Sequence, residues 1–515
     1  MIFTLPASST SLRPRWWLTL PVLGAAALVA CGGSDDNDAG PPVATAAERC
    51  ARLKVGTRIN DATVTDVKFV AATAAAPEYC EVLGLLPTKT RFAVRLPSNW
   101  NHKTLYTGGG GFNGDLATAS PASLALGLVT IASTGGNNKV RDGAFALDST
   151  ALNDYAYLSV PRTSAVAKTI ITTVYQQSAS RNYFEGCSNG GREGLMAAQR
   201  NPELFDGIVA KAPPANFTDT FFGFAHTRQM IAKPGGNLAP ADLTLLNRAV
   251  LKACDGLDGL EDGIVGRPEA CAFDPGVLAC NGSNDGACLT ATQLATVAAL
   301  YQPLIDDGKP TALGFQLGAE ANWDGAQTGI ISATSPRFAG LLADQWVKYF
   351  VTQDPNFNIM DFNVERWQSR MGFLRTLLDT TNPDLSAFQA RGGKLIMYHG
   401  MSDNAVSPRT SMAYYSEVVK KSGSQGAADS LVRLYLNPGV GHCTGGVGPD
   451  NVDLLGPLMA WVEKGTDPAT STIVASKLTD GKATMTRPLC VYPTYPRYKG
   501  AGDPNAASGF ECANP

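Results

Sequence analysis

A chain of 515 residues exceeds one ordinary domain, and a hydrophobic share of 44% is enough for a full core. Its 42 basic and 45 acidic residues are spread along the length and leave a net charge of −3, so there is no basic stripe for nucleic acid and no polyacidic tail. Those numbers exclude nucleic acid as a partner and point to a small molecule.

Arg13 and Arg15 precede an apolar run from Trp16 to Ala30, which ends in Leu28-Val29-Ala30-Cys31. Positive charge before a short apolar run is the pattern of a signal peptide rather than of a membrane span, so residues 1–30 are read as an export signal. The last four residues match a bacterial lipobox with Cys31 lipidated; plain secretion with cleavage near Ala30 is the alternative. The expected location is therefore outside the cytoplasm, as an outer-membrane lipoprotein or a periplasmic or secreted protein, with membrane attachment only through Cys31. Residues 31–45 are small, polar and proline-containing, as in a flexible tether. Eleven cysteines are present; with Cys31 set aside an even number remains, which in an exported chain points to five disulfides whose pairing stays open.

After a loop-rich stretch from Cys50 to Cys80, Arg91 to Leu96 alternates as a half-buried strand and Lys103 to Thr107 reads as another. The second runs into Gly108-Gly109-Gly110-Gly111, either a flexible connector or a loop whose backbone N–H groups approach a ligand. Leu128 to Ala132 reads as a buried strand and Ala165 to Tyr175 as a helix. Asn182 to Glu185 is a short strand, Glu193 to Arg200 a helix, and between them stands Gly186-Cys187-Ser188-Asn189-Gly190. Strand, G-x-S-x-G and helix in succession make a nucleophile elbow that exposes the Ser188 hydroxyl; the bare motif would also suit a glycine-rich turn. Phe205 to Ala210 is a further strand, ended by Pro213 and Pro214. Strands alternating with helices predict an α/β fold with a mostly parallel sheet and helices on both faces.

Beyond Pro214 the alternation stops for about 170 residues, which read as an inserted lid over 215–381. Residues 46–214 and 382–515 then form the surrounding α/β domain. Inside the lid, Asp255, Asp258 and Asp262 share one glycine-rich loop, either a solvated acidic turn or an all-oxygen site suited to a hard cation such as Ca²⁺. Lys394 to Gly400 resumes the buried strands, with Asp403 just past its tip. Leu431 to Leu436 is read as the last strand and leads to His442 and Cys443; Leu454 to Glu463 is read as the last helix. Ser188, Asp403 and His442 in that order, each just beyond a strand, follow the α/β-hydrolase arrangement. His442 as a structural histidine is the alternative.

Gly-Cys-Ser-x-Gly-Gly at 186–191, the later Asp403, and Gly-His-Cys-x-Gly-Gly at 441–446 together resemble the tannase and feruloyl esterase family, including its bacterial mono(2-hydroxyethyl) terephthalate hydrolase branch. The resemblance covers the chain from Cys50 to Cys512. It implies an α/β-hydrolase fold, and a Cys187–Cys443 disulfide that ties the loop of Ser188 to that of His442. The further pairs it implies are Cys50–Cys80, Cys254–Cys271, Cys280–Cys288 and Cys490–Cys512. It also implies a structural Ca²⁺ held by the side chains of Asp255, Asp258 and Asp262 and the carbonyls of Leu260 and Ile264, with no organic cofactor. In the terephthalate branch a lid arginine binds the substrate carboxylate and a phenylalanine covers its ring. Arg337 stands at the first of those positions, and Leu341 replaces the phenylalanine at the second.

The reading is a secreted serine carboxylic ester hydrolase acting on small aromatic esters of feruloyl esterase or tannase type. Ser188 would be its nucleophile, His442 its base, Asp403 the orienting acid, and the N–H groups of Gly111 and Asn189 the oxyanion hole. The alternatives are a terephthalate monoester hydrolase and, from another class, a non-catalytic binding lipoprotein.

Overall fold

Side-chain alternation along ten strands decides what covers each face of the central sheet. The strands are β1 Arg58–Ile59, β2 Ala62–Val70, β3 Tyr79–Leu85, β4 Arg91–Pro97, β5 Lys103–Thr107, β6 Val129–Ser133, β7 Arg181–Cys187, β8 Gly207–Lys211, β9 Lys394–Gly400 and β10 Val432–Asn437. Their spatial order is β1-β2-β3-β4-β6-β5-β7-β8-β9-β10. Pairings from β1 to the β4–β6 contact are antiparallel, and every pairing from β6 to β10 is parallel. The structure is a computed structural model that describes residues 44–282, 286–306, 308–323 and 338–515. The export segment 1–30, Cys31 with nearly all of the tether, and Arg337 lie outside the described residues.

The longer helices are α1 Ser159–Tyr175, α2 Asn189–Arg200, α3 Phe217–Ala232, α4 Pro240–Cys254, α5 Ala291–Tyr301, α6 Phe338–Gln345, α7 Gln368–Leu378, α8 Pro408–Ser422 and α9 Leu455–Lys464. Strands buried on both faces read as continuous apolar runs, which is why β6, β8 and β9 show no polar alternation. Neighbouring residues nevertheless enter different cores. Phe184, Ile208, Leu395, Met397 and Leu434 pack with Ile170 of α1, Leu195 of α2 and Val418 of α8. Tyr183, Val209, Ile396, Tyr398 and Tyr435 pack instead with Leu455, Leu458 and Trp461 of α9. This is the α/β fold expected from the sequence.

Helices α3 to α7 run between β8 and β9 without adding a strand to the central sheet. Their apolar faces build a separate core from Phe217, Phe221, Leu246, Leu300, Trp346 and Met371, into which Phe112 and Tyr155 project from the sheet side. Phe112 stacks on Phe221 and Phe350 with ring centroids 5.4 and 5.0 Å apart. Burying such a ring contributes about 2–3 kcal/mol, so the glycine-rich loop before it is fastened to the inserted helices.

All five implied disulfides are formed. The C-terminal part corrects the sequence reading, which placed the last strand at 431–436 and the last helix at 454–463. Two antiparallel hairpins follow them, Ile473–Thr479 with Lys482–Leu489 and Tyr495–Tyr498 with Phe510–Ala513. The signal was Asp480-Gly481, where both residues take a positive φ of 51° and 74°, the backbone a tight hairpin turn requires.

Candidate active site

Ser188 joins β7 to α2 at φ 59° and ψ −125°, a conformation costly for a residue with a side chain and kept only where the surroundings impose it. Two glycines impose it here. A Cβ on Gly186 would stand 2.4 Å from the carbonyl carbon of Gly190, so only glycine lets the strand end press against the first turn of the helix. The Ser188 amide is in turn fixed to the Lys211 carbonyl at the end of β8, at 2.9 Å. Asn189 opens α2, so its backbone N–H has no partner within the helix, and the positive end of the helix dipole lies at the serine.

The loop after β5 is held against this turn by a buried polar network. Gly108 donates to the Glu185 carbonyl at 3.0 Å, and Gly109 donates to Glu193 Oε2 at 3.0 Å. Glu193 Oε1 accepts from Asn113 at 2.6 Å and from Asn189 Nδ2 at 3.2 Å. The Tyr155 hydroxyl lies 2.7 Å from the Gly111 carbonyl and 3.0 Å from Asn189 Oδ1. Arg192, with no exposed surface, donates to Asn189 Oδ1 and to the carbonyls of Tyr155, Ala156 and Leu378. Burial pushes the Glu193 carboxyl up, against the Arg192 charge and the donors around it. None of these supports was singled out from the sequence. The available signal was Arg192-Glu193 in the first turn of a helix that continues as Gly194-Leu195-Met196-Ala197-Ala198.

Asp403 is fully buried and surrounded by donors. Its Oδ1 accepts the backbone N–H groups of Ala405 and Val406, both at 2.8 Å. Its Oδ2 stands 2.7 Å from His442 Nδ1 and 3.1 Å from His399 Nε2. Burial would raise this carboxyl, but the His442 charge and the hydrogen bonds from His399 and His442 outweigh it and hold the group well below the usual carboxylate range. With Nδ1 turned to the acid, the outward nitrogen of His442 is Nε2.

Ser188, His442 and Gly108 to Gly111 line one cavity of about 530 Å³. Its wall also carries Asp115 and Arg141, together with Lys211 and Glu185, which pair at 2.6 Å. A narrower recess opens from Ser188, Gly111, Asn189 and His442 and is closed by Phe217, Phe221, Phe224 and Leu342. Leu341 is half-buried on α6, one position before the residue that lines this recess. Cys187 and Cys443 are bonded across the larger cavity with Cα atoms 6.0 Å apart.

The acidic loop lies in the inserted segment. Asp255 accepts from the amides of Asp262, Gly263 and Ile264, and Asp258 from that of Leu260. Asp262 pairs with Arg487 at 2.7 Å. Burial first, and the neighbouring Asp262 and Asp255 after it, push Asp258 up to about 7. The donors are hard oxygens with unbalanced negative charge, which suits a hard cation. In the conformation described, however, the carboxylates face backbone amides, and among the described residues no group of three or more acidic, His or Cys side chains is gathered in ligating geometry.

Residues 79–513 match the family described as tannase and feruloyl esterase. The chain belongs to that family. A mono(2-hydroxyethyl) terephthalate hydrolase of Piscinibacter sakaiensis is 34% identical over 88% of this chain and 89% of that protein. A probable feruloyl esterase of Arthroderma benhamiae is 33% identical over 81% of each. Among solved structures, feruloyl esterase B of Aspergillus oryzae superposes with a TM-score of 0.82 at 26% identity, covering 90% of this chain and 99% of that one. Carboxylic ester hydrolysis goes with membership of the tannase and feruloyl esterase family.

Proposed function

We propose that this member of the family is a serine esterase that cleaves esters of aromatic acids through an acyl-enzyme. The observation that carries the reading is that Ser188 and His442 line one cavity, with His442 Nδ1 held 2.7 Å from the buried Asp403. Ser188 Oγ attacks the ester carbonyl while His442 takes its proton at Nε2, and Asp403 orients the ring and stabilises the imidazolium that forms. The backbone N–H groups of Gly111 and Asn189 receive the negative oxygen of the tetrahedral intermediate, each contributing roughly 3–4 kcal/mol where such donors have been removed in other enzymes. His442 then protonates the departing alcohol, and water hydrolyses the acyl-enzyme by the same steps. Three phenylalanines and Leu342 around the recess supply the apolar walls that an aromatic acyl group requires. Turnover of methyl ferulate and methyl gallate by the purified chain, abolished in Ser188→Ala, is the expected result. Turnover unaffected by that change would reject the serine mechanism, and no turnover of any ester would return the chain to the class of binding proteins.

The second reading, a terephthalate monoester hydrolase, is favoured by the 34% identity to the Piscinibacter enzyme. It expects Arg337 to hold the free carboxylate of the substrate by two parallel hydrogen bonds. Arg337→Ala should then raise KM for the monoester and leave KM for its neutral methyl ester unchanged. Equal KM effects on both would reject it.

We further propose that Asp255, Asp258 and Asp262, with the carbonyls of Leu260 and Ile264, hold a structural Ca²⁺, which when bound neutralises the acidic loop. Export through residues 1–30 with lipidation at Cys31 completes the proposal; mass spectrometry of the mature N-terminus tests it.

A further inference from the structure

One of the four histidines in the chain, His442, has a part in the proposed chemistry; a second, His399, touches the same carboxylate from the other side. His399 is the penultimate residue of β9, has no exposed surface, and is engaged at both ring nitrogens. Its Nε2 stands 3.1 Å from Asp403 Oδ2 and 2.9 Å from the Val406 carbonyl, and its Nδ1 stands 2.8 Å from Ser411 Oγ on α8. An ionised carboxylate and a carbonyl only accept, so Nε2 carries the hydrogen; in the neutral ring Nδ1 then accepts from the Ser411 hydroxyl.

The Asp403 carboxylate is held at Oδ1 by two amides of its own loop, Ala405 and Val406. Two bonds to one oxygen leave the group able to tilt about that oxygen, and a tilt would carry Oδ2 away from His442. We propose that His399 is a positioning residue for the ester hydrolysis: its Nε2–H pins Asp403 Oδ2, so that the remaining lone pair faces His442 Nδ1. The same N–H draws the Val406 carbonyl back to the strand end, which closes the 399–406 turn on itself. Ser411 sets the tautomer that makes both contacts available. The order of support is thus Ser411, His399, Asp403, His442, Ser188. This inference rests on the serine, histidine and aspartate reading above.

The test compares Ser188→Ala, His399→Leu, His399→Gln and Ser411→Ala in the full chain with a chromogenic aryl ester, with rates expressed per folded protein from circular dichroism. A hydrogen bond to a charged group that acts only while His442 is charging should appear in kcat and not in KM. His399→Leu is expected to lower kcat about tenfold to a hundredfold with KM within about twofold. His399→Gln, whose side-chain N–H can still reach Oδ2, should recover part of the loss, and Ser411→Ala should fall between Leu and wild type. Wild-type kcat in His399→Leu, or equal losses in Leu and Gln with KM altered, would overturn the proposal. Full turnover in Ser188→Ala would instead sink the serine reading on which it rests. Should substitution at 399 prevent folding, ¹⁵N NMR of the wild-type imidazoles decides: hydrogen on Nε2 of His399 is required, and hydrogen on Nδ1 alone would refute it.

Discussion

Two of the carboxylates that the fold buries, Asp403 and Asp258, end with opposite charge tendencies. Asp403 has no exposed surface, yet it is held well below the ordinary carboxylate range because two amides and two imidazoles point at it. Asp258, nearly as buried at 5% exposure, is pushed up to about 7 by burial first and then by the neighbouring Asp262 and Asp255, against the amide of Leu260. Burial penalises both equally in kind, and the neighbouring charges together with the donors decide the outcome. The first site is completed by the protein's own groups. The second carries negative charge that Arg487 balances at Asp262.

The sharpest way to break this contrast is to exchange carboxylate for amide at each site. Asp403→Asn keeps the shape and loses the charge that stabilises the His442 imidazolium, so kcat should fall by about 10⁴-fold. Asp258→Asn should leave kcat within about twofold, as expected for a residue that does not line the cavity. Comparable losses in steady-state kinetics would show that the two loops are not functionally separate.

Next in size is the covalent tie at the first site. Cys187→Ala with Cys443→Ala frees the serine turn from the histidine loop, and misplacement of the pair by about an ångström lowers turnover on the order of 100-fold. Closing so long a loop is also worth on the order of 5 kcal/mol in the chain-entropy account, so the double variant should melt well below wild type. Near-normal turnover and melting temperature would remove the bridge from the organising elements.

A smaller effect sharpens the contrast from the other side. Excess chelator should lower the wild-type melting temperature by a few degrees, since a ligand bound only to the folded state adds stability by mass action. Asp258→Asn should reverse sign with conditions, melting above wild type in chelator and below it in calcium. Identical curves with and without calcium in wild type and variant would reject the cation site.

The smallest expected effect concerns acid. Folded Asp403 binds fewer protons than the unfolded chain between the ordinary carboxylate range, near about pH 4, and its own lowered value. Its contribution is therefore complete above that range and is lost as the pH falls below it. Melting temperature followed from pH 5 to pH 2 should drop more steeply for wild type than for Asp403→Asn, and parallel curves would show that the carboxyl is not depressed.

The residues on which the proposed chemistry rests are of a kind that type and spacing reveal. Ser188 between a strand and a helix, Asp403 past β9 and His442 past β10 could be placed because each stands at the end of an apolar run, and the paired cysteines identified the family. What could not be read is support from a distance. Glu193, Asn113 and Tyr155 come from three elements, and nothing local says that they share hydrogen bonds. His399 looked like one more residue of the buried strand Lys394 to Gly400, since its partners at 403, 406 and 411 depend on how the following turn closes. The hairpin turn at Asp480-Gly481 was visible, but the first strand beside it, Ile473–Thr479, lacks strict alternation of apolar and polar residues.

The bridge between Cys187 and Cys443 spans 256 positions along the backbone, and the whole inserted helical segment lies inside that loop. Without the bond, every residue added to or removed from the segment would alter the entropy of bringing serine and histidine together. With it, their encounter is settled by a few bonds beside the cavity, and the length of the intervening chain drops out. The inserted helices that line the recess can therefore be exchanged for others at their far surface, while the bond keeps the loops of Ser188 and His442 side by side.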